Sequence, residues 1–128
     1  MVFVASSISI IYIFRTGFQL IIRSMATYLV EHSHAGERCP AQSPDSAKMM
    51  ESLVLGKERL AECGVKIVED AKVRGEHRLL IIVEAPSRGN VEKYAQPFSQ
   101  VGPTKVFDLT TCGAFLDEVL TGTAKGCV

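Results

Sequence analysis

His32 and His34 stand two residues apart in a stretch, Ala26–His34, whose side chains alternate. On an extended strand both imidazoles leave the same face, with Cα atoms about 6.5–7 Å apart. That spacing lets both rings converge on one ion at about 2.0–2.1 Å. Cys39 follows in the polar loop AGERCPAQ, where its thiolate supplies a third donor, and His77 is the remaining histidine. Imidazole and thiolate suit zinc, nickel or copper and are a poor choice for calcium or magnesium. Without a metal, His32 or His34 could instead act as a general base, oriented by His77 or Glu31.

These residues depend on the elements that carry them. Tyr28, Val30, His32 and His34 share one face of the first strand, and Thr27, Leu29, Glu31 and Ser33 the other. Ser43-Pro44-Asp45 opens a helix: a capping hydroxyl, a proline suited to the first position and an acid at the positive end of the dipole. Met49, Met50, Leu53, Val54, Leu60 and Ala61 give it an apolar stripe that Gly64 ends. Val65–Val73 reads as a second strand, with Val65, Ile67 and Ala71 opposite Lys66, Asp70 and Lys72. Arg74-Gly75 turns the chain.

His77–Ala85 is a third strand, apolar on both faces through Leu79–Val83 and therefore expected to be central and covered twice. Pro86-Ser87 opens a second long helix bearing Val91, Tyr94, Ala95 and Phe98. It ends near Gly102-Pro103, and Pro97 kinks or shortens it. Thr104–Thr111 is a fourth strand, and Ala114–Leu120 a short terminal helix.

The order β-α-β-β-α-β predicts an α+β, ferredoxin-like fold. Right-handed crossovers give a four-stranded antiparallel sheet in spatial order 4-1-3-2, with two helices on one face. The first and third strands are then antiparallel neighbours, which brings His77 to the end of the sheet that carries His32, His34 and Cys39. These four residues form the expected metal site. The opposite sheet face carries Val, Leu, Ile or Phe on the third and fourth strands, and a bare apolar sheet is an aggregation hazard. A domain of about 90 residues buries little more than 60% of its unfolded surface. Pairing of two copies through that face, a homodimer, answers both.

Residues 25 to about 116 resemble the dimeric α/β-barrel superfamily, in particular its short single-domain members that begin with a strand such as ATYLVEHSH and end with one like KVFDLTT. The resemblance rests on element order and lengths. It implies a dimeric α/β barrel, and members include cofactor-free monooxygenases, muconolactone-type isomerases, haem-handling enzymes and small metal-binding proteins. None of their catalytic motifs is matched here residue by residue.

The chain has 128 residues, with 14 Lys+Arg against 14 Asp+Glu. One domain is expected, and the charge balance excludes a strongly basic nucleic-acid binder. An RNA-recognition reading of the same element order fails too, because the third strand offers Leu, Ile and Val where bases need aromatic stacking partners.

Residues 1–24 form a hydrophobic extension, apolar from Val2 to Phe14 and interrupted by Arg15 and Arg23. A membrane span needs about 20 apolar residues, which this segment reaches only by placing Arg15 near mid-membrane. Nothing basic precedes Arg15, which argues against a cleaved signal. Either the segment is a weak membrane anchor holding the domain on the cytoplasmic side, or translation starts at Met25. The second reading is preferred, and both place the domain in the cytoplasm. Residues 25–120 then form the domain and residues 121–128 a flexible tail.

Cys63, Cys112 and Cys127 follow no C-x-x-C spacing, so no disulfide framework is expected; Cys63 is expected to be buried at its helix end. Ser87-Arg88-Gly89-Asn90 is explained by a cap and turn. Met49 and Met50, with Tyr28 and Val30, would line a cleft between sheet and helices, or else fill the core. The expected function is a small homodimer binding a metal or small ligand at His32, His34, Cys39 and His77. The alternatives are a cofactor-independent monooxygenase- or isomerase-type enzyme using a histidine base, and a non-catalytic stress or regulatory dimer.

Overall fold

The computed structural model describes residues 24–123; the apolar extension and Cys127 lie outside them, and so do the expectations placed there. The described chain runs β1 (Ala26–Ser33), α1 (Pro44–Leu55), α2 (Lys57–Cys63), β2 (Lys66–Lys72), β3 (Arg78–Ala85), α3 (Arg88–Ser99), β4 (Thr104–Leu109) and α4 (Cys112–Leu120). Two short 3-10 turns, Gly36–Arg38 and Pro40–Gln42, connect β1 to α1.

The strands form one antiparallel sheet in the order β2-β3-β1-β4, which from the other edge is 4-1-3-2. β1 is central, with Val30 opposite Ile81 of β3 on one side and Val106 of β4 on the other. Tyr28, Val30 and His32 point to the helices together with Ile81, Val83 and Ala85, and all six are buried. Val91, Tyr94, Ala95 and Phe98 of α3 close over them, as the helical spacing of these four predicted.

Three local features depart from the sequence reading. The first helix is divided, because Gly56 adopts extended angles (φ −63°, ψ 122°) between α1 and α2. A Cβ at that position would run into the Ser52 carbonyl oxygen, so the tight corner requires glycine. The corner is locked from above. The Arg59 guanidinium donates to the carbonyls of Leu53 (2.7 Å) and Tyr94 (2.6 Å), and the Tyr94 hydroxyl donates to Val54 (2.9 Å).

Second, β2 is irregular between Ile67 and Glu69, so that Ile67 opposes Val83 while Glu69 opposes Ile82. The extra residue, Val68, reverses the alternation and moves Ala71 away from the face expected of it. Third, β3 is central but covered by helices on one face only; Leu80 and Ile82 on its other face are half-buried. Pro97 lies inside the last turn of α3, which continues two residues past it to Ser99, and Cys63 is buried as expected.

Ser43 caps α1 by accepting from the Ser46 amide at 3.2 Å, and Gly64 ends α2 in the left-handed conformation at φ 72°. Thr111 likewise caps α4 by accepting from the Ala114 amide at 3.0 Å.

Candidate metal centre

The antiparallel pairing of β1 and β3 continues one residue beyond the strands: the His34 amide donates to the His77 carbonyl at 3.1 Å. That bond sets the two imidazoles side by side, with ring centroids 5.2 Å apart. The Gly36–Arg38 turn then folds the chain back, with the Cys39 amide donating to Gly36 at 3.2 Å. Arg38 pins this turn to the far side of the site by donating to the Gln100 carbonyl at 3.0 Å. Gln42 adds a second tie, donating to Gly36 at 2.8 Å.

As a result His34, Cys39 and His77 each offer a ligand atom within 4.8 Å of the other two. Tetrahedral donors about 2.0–2.3 Å from zinc lie about 3.3–3.8 Å from one another, so rotations of order 1 Å close the set. The gradient of exposure runs inward, from the exposed His77 to the half-buried Cys39 and His34. Among the described residues, the Nε2 of His34 is the buried side-chain nitrogen or oxygen that has no hydrogen-bond partner. Buried polar atoms without a partner are rare in folded proteins, and this one belongs to a residue of the cluster.

His32, the fourth residue expected in the site, stands behind this group. Its Nε2 is 3.1 Å from His34 Nδ1, and its Nδ1 is 2.9 Å from the Thr104 hydroxyl. Both ring nitrogens are engaged and the side chain is buried, so His32 supports His34 and does not face Cys39 and His77. Two supporting residues were missed in the sequence, Thr104 and Gly102. The signal for Thr104 was available: with β4 beside β1 in antiparallel sense, the start of β4 must face the end of β1, and Thr104 opposes His32. Gly102 is required by close approach, since a Cβ there would strike the Ser33 carbonyl and lie 2.9 Å from His34 Cα.

Electrostatics keep the pair neutral. Burial, and then the neighbouring His34, holds the pKa of His32 below the ordinary imidazole value. Burial, followed by His77 and Lys72, does the same to His34. A neutral imidazole is the form that binds a metal ion or accepts a proton.

On the helix side of His32 and His34 lies an apolar cavity of about 110 Å³, walled by Met49, Met50, Leu53, Leu79, Phe98 and Val101. Where core filling is the favoured expectation, the methionine pair lines a cleft, with Met49 exposed. Tyr28 and Val30 do not, because they lie deeper under α3 in the closed core.

The fold and site together define an α+β domain with a four-stranded antiparallel sheet and a His/Cys cluster at one end. The chain matches no family model, and no curated protein is a detectable relative. Among the described residues, no helix is long and apolar enough to cross a membrane.

Proposed function

We propose that this protein binds a single transition metal ion through His34, Cys39 and His77, with His34 contributing Nε2. The observation that carries the reading is the clustering of His34, Cys39 and His77, together with the buried, unpartnered Nε2 of His34. Two nitrogens and one sulfur favour zinc, copper or nickel over the hard cations. Three protein donors leave one position of a tetrahedral ion for water or a small molecule. The fold that suits this reading is ferredoxin-like, and the working unit is a homodimer paired through the open sheet face. Leu29, Ile82 and Phe107 form one apolar row across the three adjacent strands of that face. A reducing, cytoplasmic setting, in which Cys39 persists as a thiol, completes the reading.

The test is metal analysis of protein purified without a histidine tag, followed by zinc titration of His34→Ala, Cys39→Ser and His77→Ala. About one ion per chain in the wild type, with affinity reduced in all three variants, supports the centre. Wild-type protein that takes up no zinc, copper or nickel, or variants that bind as tightly as wild type, overturn it.

A second reading has its own support: the apolar cavity beside two neutral histidines suits a histidine base acting on a small ring-containing substrate. It is the cofactor-independent enzyme, of monooxygenase or isomerase type. Proton exchange on a bound substrate in metal-free protein, abolished in His34→Ala, distinguishes it from the metal centre. A dimer with neither activity would be the stress or regulatory protein.

A further inference from the structure

The hydrogen bonds behind His34 have a direction, and that direction decides what its Nε2 can do. A carbonyl only accepts, so the 3.1 Å bond between Thr104 and Gly102 requires the hydroxyl proton to lie on the Gly102 side. The Thr104 oxygen then accepts from His32, 2.9 Å away, which places the His32 proton on Nδ1. The His32 Nε2 is left as an acceptor, and the only proton available between it and His34 Nδ1 at 3.1 Å is the one on His34. A neutral His34 that carries its proton on Nδ1 has a bare lone pair on Nε2.

The opposite direction is worse on two counts. Thr104 would donate to His32, and the Gly102 carbonyl would lose its Thr104 donor. His32 would donate to His34, whose Nε2 would then be a buried N–H with no acceptor. Buried amide-type donors without partners are rarer than under-used acceptors.

We propose that Thr104 and His32 are positioning residues which hold His34 as the Nδ1–H tautomer, so that its Nε2 lone pair faces the site. The relay Gly102–Thr104–His32–His34 spans β4 and β1 and is built into their pairing, since Thr104 opposes His32 in register. Its purpose rests on the metal-binding reading, but the tautomer is a property of the metal-free protein. Partners of this kind around metal-bound histidines fix ring orientation and raise donor strength, and their loss costs about 10–100-fold in metal affinity.

The experiment is nitrogen-15 NMR of the imidazoles in the full-length, metal-free chain at mildly alkaline pH, paired with zinc titration. In the wild type, both His32 and His34 should show a protonated Nδ1 and a bare Nε2. Thr104→Val should move His34 toward the Nε2–H form and weaken zinc about 10–100-fold, and Thr104→Ser, which restores the hydroxyl, should recover both. Backbone spectra of the two variants report whether the sheet is intact. A wild-type His34 protonated at Nε2 overturns the proposal, as does a folded Thr104→Val with unchanged tautomers. If the tautomers are as stated but no zinc binds, the relay stands and the metal-binding reading alone fails.

Discussion

The backbone amide of His34 donates to the carbonyl of His77, and that bond brings two imidazoles distant in the chain to within 5.2 Å between ring centroids. The end of β1 and the start of β3 are thereby tied at the backbone before any ligand arrives. A metal held by His34, Cys39 and His77 would add a second tie, between β1, its following turn and β3. Zinc should therefore stabilise the fold, by about 2.7 kcal/mol at a free concentration 100 times its Kd. Thermal unfolding with and without zinc measures this. His77→Ala should unfold near the wild-type temperature without zinc and gain little from it, because its side chain is exposed. An equal zinc-induced rise in His77→Ala would show that the ion binds elsewhere.

Gly102 is the point where the α3–β4 connection presses against the site. Gly102→Ala would push a methyl group into the Ser33 carbonyl and against His34. Overpacking of this kind costs about 1–3 kcal/mol. Because the backbone that must yield carries His34, zinc affinity should fall together with stability. Urea unfolding and zinc titration of the variant check the pair, and wild-type values of both would mean that the connection yields without disturbing His34.

Much of this site could be read from residue types. The alternation of Ala26–His34, the apolar third strand and the helix start at Ser43 predict the strand neighbours, and the neighbours bring His77 to His34 and Cys39. The reading stops short where pattern and partner separate. Period-2 alternation puts His32 and His34 on one face as equals, yet a hydroxyl from β4 takes one nitrogen of His32 and His34 takes the other. Alternation also assumes an even strand, and the irregularity at Val68 shifts everything after it by one. The corner at Gly56 was hidden for a related reason: an apolar stripe continues through it, and the clash that demands glycine involves a carbonyl, which no side-chain pattern records.

Acid should destabilise the metal-free protein through the buried His32 and the half-buried His34. His32 and His34 both titrate below 6.5 in the folded state and near 6.5 when unfolded. As pH falls through that value the unfolded chain takes up protons that the folded protein resists, so the stability present above it is progressively lost. Urea midpoints from about pH 7.5 to about pH 5 would record the decline. Carboxylates contribute at the acid end, so the informative comparison is His32→Gln, whose slope should be shallower. Identical slopes would mean that the buried imidazole is not a source of the acid sensitivity.

The open face of the sheet supplies the last expectation. Leu29 opposes Ile82 on one side and Phe107 on the other, so three apolar side chains cross the sheet in one row. Phe107 is 41% exposed, and Leu109 on the same strand is 36% exposed. The charges on this face are already partly matched, since Arg78 and Glu31 pair at 3.1 Å and so can be covered at smaller cost than lone ions. A second copy laid on this face would bury the row against itself, which accounts for its composition better than solvent does. Ile82→Glu would place a carboxylate at the centre of that contact and should convert a dimer into a monomer while leaving the site at the sheet's end intact. Sedimentation of wild type and variant at matched concentrations, with zinc titration of both, separates the two effects. A monomeric wild type would leave the row unexplained, and a dimeric Ile82→Glu would place the interface elsewhere.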